Sequence, residues 1–335
     1  MQQKLIAEKA GVSKATVSRV FTQNAHVMPA TVERVRNAMR ELGYDEDLIS
    51  PFKYNQNLKT VLVDVGDITN DFLAKVTLSI HNVLYANGYN TILCNSNFNS
   101  ELEIRRMHDA IKARYAGIIM VTAVESDQLI EFLEQTKTIP IVFVNRYVSC
   151  LDLDVVRCDN YQGGYMAGRY LIDNGHRKIA FLGSRKDSII TRDRLRGFAF
   201  AMQDSSLQLS DEDIYYGDNT RSSGRKFASK LFENNSGHTA IFATNDYMAA
   251  GVAHYLYDIG KDIPEDFSII CFDDSPLVGA DSLDITSVSC DPFQMGESAA
   301  ETFLKRISNP QGEKVRIVYS PHYTIRSSVK NLNES

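Results

Sequence analysis

From residue 60 onward, short β-branched runs alternate with amphipathic stretches, and the alternation occurs twice. TVLVDV (60–65) precedes a helical pattern over 72–86, then TILCNS (91–96) and a helix over about 100–114. GIIMVT (117–122), a helix over 126–136 and IPIVFVN (139–145) complete the first half. The second half runs from a helix over 160–174 through KIAFLG (178–183), a helix over about 192–204, IYYGD (214–218) and a helix over about 221–234. TAIFATND (239–246), a helix to about 259 and FSIICFDD (267–274) follow, and then ITSVSCD, a helix over 293–307, VRIVYS and HYTIRSS. Apolar strands separated by helices are buried on both faces, which demands a parallel sheet covered on both sides. The prediction is an α/β core of two doubly wound parallel sheets, one per lobe, with more than one crossing between lobes. The first lobe is placed at about 59–159 plus 291–319, the second at about 160–290 plus 320–328, and 329–335 is read as a polar tail.

Residues 1–44 do not fit this pattern. They predict three short helices: Leu5 to Ala10 closed by Gly11, Lys14 to about Phe21 capped by Ser13, and a third opening near Pro29 and ending at Gly43. In the second helix Val17, Val20 and Phe21 fall on one face, while Lys14, Ala15, Ser18, Arg19 and Thr22 fall on the other. The third is expected to bury Val32, Val35, Met39 and Leu42. Such a helix–turn–helix presents the polar face of its second helix to base edges in a DNA groove. Charge agrees: the chain carries −6 overall, yet residues 1–44 hold seven bases against three acids, which leaves −10 to the other 291 residues. A basic head on an acidic body approaches phosphates at one end only. Arg19 is the candidate base reader, its planar fork matching guanine O6 and N7. Lys14 and Ala15 start the helix and would lie deepest in the groove, while Thr16, Ser18 and Thr31 suit phosphate contacts.

Several other classes are disfavoured. The first residues lack the apolar stretch of a signal peptide, no apolar run spans a membrane, and the expected location is cytoplasmic. A transporter's solute-binding protein, the competing reading, would share the two-lobed core but carry a signal peptide and no head. GxxxxGK[ST], GxGxxG after a strand, GxSxG and HExxH do not occur, so neither an enzyme nor a bound cofactor is expected. Gly163-Gly164 lies inside a helical stretch and reads as a close-packing pair. Cys94, Cys150, Cys158, Cys271 and Cys290 are odd in number and never form CxxC, so all five are read as reduced thiols.

The motif A-x-x-A-G-V-S-x-x-T-V-S-R-V (Ala7 to Val20), with RDRLRGF (192–198), FATNDYMAAG (242–251) and IICFDD (269–274), resembles the lactose/galactose-repressor family along essentially the whole chain. The resemblance implies a homodimer or tetramer on a roughly palindromic double-stranded DNA operator, and a core like that of periplasmic sugar-binding proteins whose ligand changes DNA affinity. The short polar end SSVKNLNES, without a leucine heptad, favours a dimer. By resemblance the ligand contacts are Arg194, Asn245, Asp246 and Asp273, with Asn145 and Asn219 nearby. Chemistry supports this set, because Asn145, Asn245, Asp246 and Asp273 each follow a β-run, where doubly wound sheets place their ligands. Carboxylates accept from paired hydroxyls, and a guanidinium bridges sugar oxygens or holds a carboxylate or phosphate. A sugar or sugar phosphate fits these groups, and a purine is left open because Phe72 could stack on either. Residues 45–58 are read as a linker that departs from the family: Asp45, Glu46 and Asp47 stand where phosphates would lie, and Ser50 and Lys53 replace the usual alanine and leucine.

Overall fold

The computed structural model describes residues 2–22, 27–43, 59–136, 139–234 and 236–334. The chain divides into two compact units, Met1–Leu58 and Lys59–Ser335.

The first unit holds α1 (Gln2–Ala10), α2 (Lys14–Thr22) and α3 (Pro29–Glu41). Gly11 takes φ +62°, the left-handed turn that a residue without Cβ adopts at little cost. Ser13 Oγ then accepts the Thr16 N–H at 3.1 Å and caps α2. Ile6, Ala7, Ala10, Val17, Val35, Ala38 and Met39 form the core of this unit. Leu42, expected in that core, is 36% exposed, because it caps the C-terminus of α3 beyond its last turn; Ala38 is buried instead, and Val32 only half so. Residues 45–58, the linker of the sequence reading, lie outside the described residues.

The second unit begins with β1 (Thr60–Val65), α4 (Asp71–Ala86), β2 (Asn90–Asn95), α5 (Ser100–Lys112), β3 (Gly117–Met120), α6 (Asp127–Gln135), β4 (Ile141–Val144) and β5 (Asp154–Cys158). The chain then crosses to a second lobe containing α7 (Asn160–Asp173), β6 (Ile179–Gly183), α8 (Ile189–Asp204), β7 (Ile214–Tyr216), α9 (Arg221–Glu233), β8 (Ala240–Ala243), α10 (Asp246–Asp258), β9 (Ser268–Phe272) and β10 (Thr286–Ser289). It returns for α11 (Pro292–Ser308) and β11 (Arg316–Tyr319), and crosses a third time into β12 (His322–Thr324). The two six-stranded sheets have the orders β11-β5-β4-β3-β1-β2 and β12-β10-β9-β8-β6-β7. All pairings are parallel except β10 with β12. Every residue of β1, β3, β4, β6, β8 and β9 is buried, as their largely apolar runs require, Asp64 of β1 included.

Three details differ from the sequence reading. The strand β5 is not signalled by an apolar run, since Asp154 and Arg157 interrupt it. Asp154 is nevertheless fully buried, because Arg306 grips its carboxylate at 2.7 and 2.9 Å and the Val315 N–H donates to it at 2.9 Å. The polar end is not a free tail: Lys330 N–H donates to Ser268 Oγ at 3.0 Å, and Leu332 N–H to the Asn174 carbonyl at 2.8 Å.

The third difference concerns the cysteines. Cys158 and Cys290 form a disulfide, their Cα atoms 6.0 Å apart and 132 residues apart in sequence. Cys158 ends β5 and Cys290 directly follows β10, the strands from which the chain crosses between lobes, and only the tertiary crossing brings them together. Thiol titration of the denatured, unreduced protein should count three groups, Cys94, Cys150 and Cys271, rising to five after reduction. Five before reduction would show the bond unformed.

Candidate functional site

The two sheets aim the C-terminal ends of their strands at one cleft, which encloses about 500 Å³ of space, its open mouth included. Phe72 enters from the first turn of α4, Phe98 from the loop after β2, Thr122 after β3, and Asn145 and Arg146 after β4. From the other lobe come Thr191 and Arg194 on α8, Asn219 after β7, Thr244 and Asn245 after β8, and Asp273 after β9. At the mouth, Tyr247 on α10 donates its hydroxyl hydrogen bond to the Thr69 carbonyl at 3.2 Å and so bridges the lobes.

Backbone conformation marks the same places. Asn145, Asn219 and Asp273 take φ of +65°, +66° and +99°. Asn and Asp enter this left-handed region more readily than other residues with a Cβ, so the chain turns sharply off each strand and leaves a polar side chain at the cleft. Phe98 has φ +56°, which a bulky side chain adopts at a cost of about 1–3 kcal/mol. The Arg146 guanidinium stacks over its ring at 4.9 Å.

Arg194 is the most constrained group. Glycine makes its position possible: a Cβ on Gly164 would lie 2.0 Å from the Arg194 carbonyl, and one on Gly197 1.9 Å from that of Tyr161, so α7 and α8 cross with backbones nearly touching. Arg194 Nε donates to Asn160 Oδ1 at 2.9 Å, Nη1 to the Thr244 carbonyl, and Nη2 to Asp273 Oδ1 at 3.5 Å, while the guanidinium lies 3.4 Å over the Phe272 ring. Burial pulls its pKa down, and Asp273 resists the shift. At Asp273 burial raises the carboxyl more than Arg194 lowers it, since 3.5 Å is long for a charge pair.

Six of the seven ligand candidates named from sequence therefore meet: Phe72, Asn145, Arg194, Asn219, Asn245 and Asp273. Asn245 also caps α10, its Oδ1 accepting the Met248 N–H at 2.9 Å. Asp246 is not among the lining residues. Its buried carboxylate turns away, accepting the Ser275 N–H at 2.6 Å and the Cys271 thiol at 3.1 Å. It shares a strand-end position with true lining residues, but as the first residue of α10 it faces the loop after β9. In the head, Lys14, Ala15 and Arg19 are exposed on α2, and Thr16, Ser18 and Thr31 are half-buried, with Thr16 Oγ1 2.8 Å from Ser13 Oγ.

Sequence reasoning passed over Arg146, Phe98, Thr122, Thr191 and Thr244. Arg146 directly follows a candidate asparagine at a strand end, and that position was its one available signal. Behind the cleft, fully buried Glu103 holds the loop after β3, accepting the Val124 N–H at 3.0 Å and the Ser96 hydroxyl at 3.4 Å. Burial raises its carboxyl to about 7. The folded protein thus binds this proton more tightly than the unfolded chain, and the associated stability is lost as pH rises from about 4.5 through about 7. Glu103→Gln keeps the Val124 acceptor and removes the titration. Urea unfolding at pH 5 and pH 8 should show the parent losing on the order of 2–3 kcal/mol more than the variant, whose remaining loss comes from other groups such as Asp246, raised likewise to about 7; equal losses would assign the proton elsewhere.

Residues 4–47 match the family described as bacterial regulatory proteins, lacI family, and residues 169–329 match a periplasmic binding protein-like domain. The chain is 31% identical to the HTH-type transcriptional repressor PurR of Vibrio vulnificus, over 98% of each chain. It superposes on the transcriptional regulator CelR in its cellobiose complex with TM-score 0.73 and 27% identity, covering 97% of this chain and 99% of that one. A lacI-family regulator from Enterococcus faecium with bound ribose gives TM-score 0.72 and 28% identity, over 82% of this chain and 99% of that one. Among the described residues no helix is long and apolar enough to cross a membrane. With its helix–turn–helix head, its two-lobed core and relatives matched end to end, the chain belongs to the lacI family of bacterial regulatory proteins.

Proposed function

We propose that this protein is a cytoplasmic transcriptional repressor whose head binds a half-site of a roughly palindromic operator and whose cleft binds a sugar or sugar derivative that sets operator affinity. One observation carries the reading: polar side chains from both lobes converge on a cleft in a chain that also bears a basic three-helix head. The sugar class is supported by the Asn, Asp and Arg set, by Phe72 and Phe98 as faces for a ring, and by the cellobiose and ribose bound to the two structural relatives. Binding is read as the whole role of the cleft, with the ligand released unchanged.

A palindromic site needs two heads, so the protein acts as a homodimer. Leu78 and Tyr85 on α4, with Ile92 and Leu93 on the edge strand β2, leave apolar surface exposed on the first lobe, where a second copy would cover it. In each head Arg19 reads a base, Lys14 and Ala15 lie nearest the groove floor, and Thr16, Ser18 and Thr31 meet phosphates.

Arg19→Ala should weaken operator binding by about 1–3 kcal/mol and relax base choice at one position of each half-site. Gel retardation with a set of half-site variants measures this, and unchanged specificity would remove Arg19 from base reading. Asp273→Ala should leave operator binding intact and abolish the response to ligand, checked by the same assay with and without the sugar identified in a thermal-shift screen. A normal response would misplace the site.

A further inference from the structure

The cleft holds two guanidiniums, and their surroundings differ. Arg194 is satisfied by the protein, with hydrogen bonds to Asn160, Thr244 and Asp273 and a carboxylate beside it. Arg146 lies in the same cleft, on the first lobe, stacked on Phe98. Its Nε is buried and has no hydrogen-bond partner, and among the described residues no carboxylate stands within 4.0 Å of it as an ion-pair partner.

The acids nearest to Arg146 are committed elsewhere. Glu103 accepts from the Val124 N–H and the Ser96 hydroxyl. Asp187 is held by Arg185 at 2.5 and 3.0 Å. Glu103 and Asp187 favour the Arg146 charge from beyond ion-pair distance, while Arg185 and Arg194 oppose it. A guanidinium whose Nε is buried without an acceptor, and which has no carboxylate at ion-pair distance, is costly to close off from water, and a neutral ligand over it would add no countercharge. An oxyanion would supply both the charge and an acceptor for the unpaired Nε. Buried, unpaired hydroxyls of Thr122 and Thr244 line the same cleft and suit the uncharged oxygens of a polyol.

We propose that the ligand is an acidic sugar or similar polyol carrying one oxyanion, carboxylate or phosphoryl, and that Arg146 receives that oxyanion. The proposal rests on the cleft being the effector site, as read above, and names the chemical class of effector and the residue that selects it.

The full-length protein tests it in two arms. In the first, thermal unfolding is followed in inorganic phosphate and in chloride at equal ionic strength. The parent should gain stability in phosphate relative to chloride, Arg146→Gln should lose that gain, and Arg146→Lys should keep part of it. Melting in chloride alone reports whether each variant folds. No gain in the parent, or an equal gain in Arg146→Gln, overturns the proposal, and the equal gain would also be the sign of phosphate bound at the basic head.

In the second arm, calorimetry compares glucose with glucuronate and glucose 6-phosphate, and ribose with ribose 5-phosphate. At least one acidic member should bind about tenfold or more tightly than its neutral parent, with the ratio falling to about one in Arg146→Gln. The member that binds tells carboxylate from phosphoryl. Neutral sugars binding as tightly as acidic ones would overturn the proposal while leaving the cleft as the effector site. If no sugar of either kind binds, the sugar reading fails, and the phosphate arm alone decides whether Arg146 takes an oxyanion.

Discussion

The buried guanidinium of Arg194 is the constraint on which the second lobe depends. A charge removed from water must find its hydrogen bonds and its countercharge inside the protein. Here Asn160 at the start of α7, the Thr244 carbonyl at the end of β8 and Asp273 at the end of β9 provide them, and Phe272 supplies the face beneath. Three separate pieces of chain are thereby fixed around one side chain. The geometry is attainable only because Gly164 and Gly197 let α7 and α8 cross with backbone against backbone. A methyl group at either position would push α8 outward and take Arg194 with it. The lobe's packing and its binding surface are therefore a single arrangement.

The fold was largely legible in the sequence, because parallel strands buried on both faces leave unbroken apolar runs that nothing else in the chain resembles. The strand β5 escaped notice because its burial depends on a distant partner: Asp154 is tolerated inside only where Arg306, 152 residues later, neutralises it. The disulfide escaped for a similar reason, since no local spacing announces a bond between the ends of two crossing strands. Strand-end position and polar chemistry pointed to Asn145, Asn245 and Asp273, and the resemblance to Asn219, and all four line the cleft. The same rule also took in Asp246, whose carboxylate turns to the Ser275 N–H and the Cys271 thiol, because position along a strand does not say which way the next side chain turns. Arg146 and Phe98 required three dimensions, since what distinguishes each is the company of the other.

The three crossings between lobes lie together. Cys158 and Cys290 tie the first to the second, and the Asp159 N–H donates to the Tyr319 carbonyl at 2.9 Å, tying the first to the third. A hinge fastened this way resists sliding and leaves rotation about one edge as the soft motion. Tyr247 to Thr69 is one hydrogen bond between the lobes that such a rotation would break or make.

A ligand can shift an equilibrium between open and closed lobes only through contacts that differ between them. Arg194, Asp273 and Asn245 belong to one rigid lobe, so a ligand touching only these would bind both arrangements alike and transmit nothing. The discriminating contacts must come from the first lobe, whose lining includes Phe72, Phe98, Thr122, Asn145 and Arg146. Of these Arg146 is the one cation, with a buried Nε that no group among the described residues accepts from. A coupling free energy of about 1–3 kcal/mol, typical of such control, is within the range of one charge-assisted hydrogen bond made in one state and absent from the other. Affinity and signal would then reside in different lobes, with Arg194 holding the ligand and Arg146 converting its presence into closure.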